Sequence, residues 1–334
     1  MNVNLKLVEP YSISERQFTD NMVYLDWNES CFNPDPIINY FKNSPFKNYN
    51  LYPDPTNLDL IESLGKYTNT NTKFIDVFNG SDSALDYTFR TLLNIGDSVL
   101  IPFPNYSQVN QTITSLGCKI IYCDIEEIDK SLKNDIKLVY LSNPNNPLGY
   151  CIDPTHLIKK YPNIYFIVDE AYHEFAPEFT LFAKAHEFPN LIVTRTFSKA
   201  LCMAALRLGY LTTNLDILEK IRLIKNNKEI NRLAQIAGVV TLNNIEWYFD
   251  KINLTNHNKK TFVDSIENVK DIYIYNSKAN FVLIKHPSIK KIIEDAKLKN
   301  ILIRDRSKFI SNTVRITIGN TESMEALSKI INNL

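Results

Sequence analysis

Lys199 stands in Thr194-Arg195-Thr196-Phe197-Ser198-Lys199-Ala200, between small hydroxyl residues at the end of an apolar run, and Arg207 follows in Arg207-Leu208-Gly209-Tyr210. A lysine amine forms a Schiff base with a carbonyl when its environment lowers its basicity. A guanidinium beside hydroxyls suits a phosphate. The stretch therefore fits Schiff-base chemistry next to a bound phosphate, with Lys199 as the catalytic candidate. Lys and Arg together number 37, and a single Ser-Lys pair is more often a solvated surface lysine. The reading rests on what else converges on the same place.

Such groups need a scaffold, and from about residue 73 the pattern supplies one. Short apolar runs at 74–78, 98–101, 119–122, 138–141, 164–168, 191–193 and 208–211 alternate with helix-length polar stretches. Runs that short and apolar throughout read as strands of a mainly parallel sheet covered on both faces, an α/β domain. Ligands of such sheets bind beyond the carboxyl ends of the strands. Four of the runs end there in polar, turn-forming sequence: Asn79-Gly80-Ser81-Asp82, Ser142-Asn143-Pro144-Asn145-Asn146-Pro147-Leu148-Gly149, Asp169-Glu170-Ala171-Tyr172 and the lysine stretch itself.

Gly80-Ser81-Asp82 precedes the apolar-periodic 84–93, so it marks a strand, a turn and a helix start. Free N–H groups and the helix dipole there suit an anion. The same residues read equally as an ordinary cap, for which Ser and Asp are the usual choices. Asp169 closes an apolar run and is expected to be buried, so its carboxylate needs a cationic or hydrogen-bonding partner. A pyridinium nitrogen would serve, and so would a nearby Arg or Lys; Tyr172 fits either the site or the core.

Between residues 24 and 55 prolines and asparagines are frequent, which predicts an irregular, extended segment rather than helix. Its aromatic residues Tyr24, Trp27, Phe32, Tyr49 and Tyr52 imply that it wraps something. After about residue 246 the alternation restarts, with strands expected at 271–275, 280–285, 301–304 and 314–318 and helices at 288–298 and from about 323. The expected organisation is an N-terminal segment 1–45 joining the small lobe, a large domain 46–245 and a small α/β domain 246–334.

The 334 residues carry 37 basic and 37 acidic side chains, a formal charge of +0 that gives no general attraction to nucleic acid or an anionic membrane. Residues 1–14 lack a basic start with an apolar core, and no run approaches a membrane span. Five cysteines (Cys31, Cys118, Cys123, Cys151, Cys202) form no CxxC pair and five histidines no HExxH spacing, so no metal site is expected. The odd cysteine count fits a reducing cytoplasm.

Taken together, Asn143-Pro144-Asn145-Asn146-Pro147-Leu148-Gly149, Asp169-Glu170-Ala171-Tyr172, the lysine stretch and Arg207-Leu208-Gly209-Tyr210 resemble the fold-type I pyridoxal-phosphate aminotransferases, most closely the histidinol-phosphate aminotransferase group. Asp26-Trp27-Asn28-Glu29, Tyr52-Pro53-Asp54-Pro55, Ser277-Lys278-Ala279-Asn280-Phe281 and Val314-Arg315-Ile316-Thr317-Ile318-Gly319 agree, in the family's order, from about Leu25 onward. The resemblance implies a large domain with a mainly parallel seven-stranded sheet, a smaller α/β lobe and pyridoxal 5'-phosphate as cofactor.

It further implies that Lys199 bonds the cofactor and shuttles a proton, while Asp169 keeps the pyridine nitrogen protonated. Asn146 and Tyr172 would hydrogen-bond the ring hydroxyl, and Tyr106 would stack on the ring. Gly80, Ser81, Asp82, Thr196, Ser198 and Arg207 would bind the cofactor phosphate, joined by Tyr52 from the neighbouring subunit of a homodimer with shared active sites. Arg315, Arg304 and Asn28 would face the substrate.

Three departures stand out. Asn227-Lys228-Glu229-Ile230-Asn231 replaces a Pro-Tyr-Asn-Val-Asn-like stretch that lines the family's substrate pocket; Cys202 and Ala205 replace glycines; Leu148 replaces a threonine. They shift the expected substrate from imidazole acetol phosphate, which stays open, toward a smaller phosphorylated ketone such as dihydroxyacetone phosphate, aminated from glutamate. The alternative is a decarboxylase of phosphoserine or phosphothreonine on the same scaffold. A cofactor-binding regulator is a third reading, disfavoured because the chain carries no added basic domain.

Overall fold

The structure, a computed structural model, describes Arg16, Thr19 and residues 21–132 and 135–334. The expectation about residues 1–14 lies outside them.

Seven strands form the larger sheet: β2 (Ile75–Phe78), β3 (Ser98–Pro102), β4 (Lys119–Cys123), β5 (Ile136–Ser142), β6 (Tyr165–Asp169), β7 (Leu191–Thr196) and β8 (Gly209–Thr212), preceded in the chain by β1 (Val23–Leu25). Their order is β2-β8-β7-β6-β5-β3-β4, parallel except β8, which runs antiparallel to both neighbours. Each strand corresponds to one apolar run read from the sequence. The physical reason is visible in β6, where Phe166 and Val168 enter one core and Ile167 the other, so both faces demand apolar side chains.

Eleven α-helices are present among the described residues: α1 (Asp35–Asn43), α2 (Leu58–Thr68), α3 (Gly80–Leu92), α4 (Gln108–Ser115), α5 (Ile128–Ser131), α6 (Thr155–Lys160), α7 (Leu215–Ile224), α8 (Arg232–Asn243), α9 (Ile245–Ile266), α10 (Ile289–Leu298) and α11 (Thr321–Asn332). Helices α3, α4 and α7 cover one face of the sheet, through Ala84, Phe89, Val109, Ile113, Leu218 and Ile221. On the other face lie α2, α6 and α8, through Leu60, Leu64, Leu157, Ile158, Ala234 and Ala237. None of the helices is long and apolar enough to cross a membrane.

The smaller sheet, ordered β1-β11-β12-β10-β9, contains β9 (Tyr273–Ile274), β10 (Phe281–Lys285), β11 (Ile301–Asp305) and β12 (Thr313–Thr317). Strand β1 pairs parallel with β11, so the N-terminal segment contributes an edge. The 22-residue α9 spans both lobes: Tyr248 belongs to the large core, Phe262 and Ile266 to the small one.

Helix α1 corrects the expectation of an extended segment there. Pro36 lies in its first turn, where a missing N–H costs nothing, and Ile37 and Phe41 pack on the large core. A proline that looked like a breaker is a helix start.

Candidate active site

The carboxyl ends of β5, β6 and β7, the first turn of α3, the 27–29 strap and strands β11 and β12 enclose a cavity of about 600 Å³. Asn28, Ser81, Asp82, Tyr106, Asn146, Asp169, Tyr172, Thr196, Ser198, Lys199, Arg207, Arg304 and Arg315 all line it. Gly80 lies behind the wall, against Arg207, and Tyr52 is 77% exposed and outside this chain's cavity.

Lys199 follows β7, and its Nζ donates to the Trp27 carbonyl at 3.0 Å. Burial, followed by the positive charge of Arg315, pushes its pKa down to about 8. At neutral pH about a tenth of the amine is therefore free to attack a carbonyl carbon, against a negligible share for an ordinary lysine.

Asp169 ends β6 and is 3% exposed. Tyr140 Oη donates to its Oδ2 at 2.8 Å and Thr194 Oγ1 to its Oδ1 at 3.3 Å. Burial raises its pKa to about 6 despite these two hydrogen bonds. The carboxylate faces the cavity with hydroxyl partners rather than a lysine or arginine, so a cationic N–H brought by a ligand would meet a group prepared for it. Beneath it, Glu170 Oε2 accepts from Arg195 Nε at 2.9 Å, a buried pair tying the ends of β6 and β7. Of the partners left open for Asp169, an arginine salt bridge is not the one found: Arg195 pairs with Glu170 instead.

At the other end of Lys199 the first turn of α3 meets Ser198, Thr196 and Arg207. Ser81 and Asp82 do not cap this helix: its N-cap is Asn79, and no side chain bonds the first-turn N–H groups. Instead Asp82 Oδ2 accepts from Arg207 Nη2 at 3.1 Å and its Oδ1 from Tyr106 Oη at 3.0 Å. A Cβ on Gly209 would lie 2.3 Å from the Ser81 nitrogen, and one on Gly80 would lie 2.6 Å from Arg207 Nη2. Both positions must be glycine for β8 and Arg207 to close against the helix start. N–H groups without side-chain partners, a helix dipole and a guanidinium in one place could hold a phosphate.

Toward the small lobe, Tyr172 Oη accepts from Asn28 Nδ2 at 2.8 Å and from Asn146 Nδ2 at 3.1 Å. Burial holds this phenol above its ordinary pKa. Arg315 Nη1 donates to Asn146 Oδ1 at 2.7 Å and its Nη2 to the Asp26 carbonyl at 2.6 Å, while Thr317 Oγ1 donates to Asn28 Oδ1 at 3.2 Å. One network thus joins β12, the N-terminal strap and the β5 and β6 loops.

Trp27, Glu29, Gln108, Ser142 and Arg306 also line the cavity and were not singled out from the sequence. Arg306 carried a signal, since it follows Arg304 by two residues, the period of a strand. Two departures need correction. Lys228 and Glu229 do not line this cavity: Lys228 Nζ lies 4.5 Å from the centre of the Tyr52 ring, and Glu229 Oε2 accepts from Ser83 Oγ at 2.8 Å. Ala205 is in the wall, but Cys202 lines an adjoining pocket. Its φ of +56° is a conformation in which glycine is the usual residue. Among the described residues no group of three or more His, Cys, Asp or Glu is placed to hold a metal.

A buried carboxylate, an anion-ready helix start and a lysine of lowered pKa between them fit pyridoxal 5'-phosphate, whose ring nitrogen, phosphate and aldehyde ask for those three groups. Residues 20–331 match the model of the family "Aminotransferase class I and II". The chain is 32% identical to a dihydroxyacetone phosphate transaminase of Campylobacter jejuni, across 99% of this chain and 96% of that protein. It is also 32% identical to a histidinol-phosphate aminotransferase of Brachyspira hyodysenteriae, across 96% and 94%. The crystal structure of histidinol-phosphate aminotransferase from Sinorhizobium meliloti in complex with pyridoxal 5'-phosphate matches the fold with a TM-score of 0.84 at 21% identity, covering 93% of this chain and 90% of that one. This chain belongs to the class I and II aminotransferases and is a pyridoxal-phosphate-dependent enzyme.

Proposed function

We propose that the enzyme moves an amino group from glutamate to a small phosphorylated ketone. The observation that carries this reading is a single cavity with two anion sites on either side of Lys199: Arg207 with the α3 start, and Arg304 with Arg315. One phosphate belongs to the cofactor, which leaves the arginine pair for the substrate. The dihydroxyacetone phosphate transaminase relative supports a three-carbon acceptor, and the histidinol-phosphate relatives support imidazole acetol phosphate.

When bound, pyridoxal phosphate supplies an electron sink for negative charge at the substrate's α-carbon. Asp169 presents its carboxylate to the ring-nitrogen end and keeps a proton there. Lys199 Nζ carries the proton to and from the α-carbon, a task suited to an amine whose pKa is near 8. Tyr172 and Asn146 would hold the ring hydroxyl, Tyr106 would cover the ring face, and Arg207, Ser198, Thr196 and the Gly80-Ser81-Asp82 backbone would anchor the phosphate. Arg315 orients the substrate's acidic group, steadied by Asn146 and by the strap that carries Asn28.

We read Tyr52 as serving the partner subunit's site in a homodimer. Its exposure supports this, as does the exposure of Tyr49, Leu51 and Leu58 around it. The two sheets support a division into 46–245 for the cofactor domain and 246–334 for the second lobe, which β1 of the N-terminal segment joins while α1 packs on the larger core. Five unpaired cysteines agree with a cytoplasmic location.

The test is the visible spectrum of the loaded enzyme. Glutamate should bleach the cofactor's visible band, and dihydroxyacetone phosphate should restore it without release of CO₂. A band that survives glutamate, with CO₂ released from phosphoserine, would replace this reading by the decarboxylase.

A further inference from the structure

Strand β11 ends at Asp305, yet the ladder continues: the Arg306 N–H donates to the Thr313 carbonyl at 3.0 Å. The side-chain alternation of the strand therefore carries through Arg306, which shares a face with Arg304. Asp305, between them, is exposed and accepts from the Ser307 N–H at 2.8 Å. Across the ladder Arg304 stands directly opposite Arg315. One face of this strand pair thus presents three guanidinium groups to the cavity, from residues 9%, 5% and 5% exposed for Arg304, Arg306 and Arg315.

Like charges directly opposite on a sheet repel, and burial removes the water that would screen them. A dianion placed among them turns that repulsion into attraction. Arg315 already donates through both terminal nitrogens, to Asn146 and to the Asp26 carbonyl, which fixes its plane for one anionic group. Arg306 lies over the Phe309 ring, 5.0 Å from its centre, which limits the directions its guanidinium can take. Arg306 lines the same cavity as Tyr172 and Lys199.

Building on the proposed use of a phosphorylated ketone, we propose that Arg306 is a specificity residue that pairs with Arg304 to grip the substrate's phosphate monoester. Two planar forks offer more charge-assisted donors than a carboxylate can use, and a terminal phosphate has three oxygens to accept them. The site then prefers a phosphorylated substrate to its unphosphorylated counterpart by more than Arg304 alone would give.

The experiment compares the loaded wild type with Arg306→Gln and Arg306→Lys. Kinetics are read with dihydroxyacetone phosphate and dihydroxyacetone, and binding of unreactive glycerol 3-phosphate is read by calorimetry. Charge-assisted hydrogen bonds predict that Arg306→Gln raises the KM for the phosphorylated ketone and the Kd of glycerol 3-phosphate about 10–100-fold. Its kcat should stay within about threefold and its preference over dihydroxyacetone should collapse. Arg306→Lys, which keeps the charge but not the fork, should fall between.

An Arg306→Gln enzyme with unchanged glycerol 3-phosphate binding overturns the proposal, as does equal loss toward both ketones, which would mark a structural role. If Arg306→Gln does not fold, Arg306→Lys with wild-type KM and Kd overturns it alone. A wild type that binds glycerol 3-phosphate no better than glycerol overturns the phosphorylated-substrate reading itself and this inference with it. That outcome is seen before any variant is measured.

Discussion

Replacing Asp169 with asparagine separates the cost of a buried charge from its use. Burial lifts this carboxyl from 3.8 to about 6 in a side chain that is 3% exposed. A raised folded-state pKa means the favourable contribution is complete only below the unfolded value and is lost as pH rises through the folded one, here between about pH 4 and about pH 6. A displacement of about two pH units is worth about 3 kcal/mol once the carboxyl is fully ionised. Asparagine keeps an oxygen for the Tyr140 hydroxyl and can donate to Thr194, so little else should change. Cofactor-free Asp169→Asn should therefore exceed the wild type by about 3 kcal/mol near pH 7 and by only about 1 kcal/mol near pH 4.5. Urea unfolding followed by tryptophan fluorescence reads both values. Added pyridoxal phosphate should then reverse the order, since the wild type gains a partner for its carboxylate and the variant does not. Parallel behaviour at both pH values, or equal stabilisation by cofactor, would refute the reasoning.

Lys199→Met should abolish turnover while leaving the far-ultraviolet circular dichroism unchanged. A lysine lowered from 10.5 to about 8 costs stability in full below about pH 8, and the cost fades only as pH rises from about 8 to about 10.5, so the cofactor-free variant should be more stable than wild type at pH 7 and converge with it above about pH 10.5. Gly209→Ala places a Cβ 2.3 Å from the Ser81 nitrogen and must push back the α3 start; cofactor titration should show affinity reduced at least about tenfold. If Tyr52 acts across the dimer, mixing Tyr52→Ala with Lys199→Ala subunits rebuilds one intact site per hybrid. Activity should then recover to about a quarter of wild type, and no recovery would place Tyr52 elsewhere.

Six of the seven strands were legible because burial on both faces writes a nearly unbroken apolar run into the chain; β4, at the sheet edge and only half-buried, was legible from its own short apolar run. Lys199, Asp169 and Asn146 were legible for a related reason: each closes or follows such a run, at the sheet end where ligands bind. Helix α1 was not, since the same proline serves as a breaker or as a helix start, and only the packing of Ile37 and Phe41 decides between them. The sequence left Ser81 and Asp82 open between cap and cradle; the fold removes the cap, since Asn79 takes that position and Asp82 pairs with Arg207, 125 residues away. Arg306 became part of the site only when β11 and β12 paired and turned three guanidiniums to one face. The lowered pKa of Lys199 likewise depends on burial and on Arg315, far along the chain. Local pattern records which side chains must be buried and where the backbone turns. Desolvation and charge proximity arise from residues hundreds apart, as in the Asn28–Thr317 contact across 289 positions, and only the folded chain brings them together.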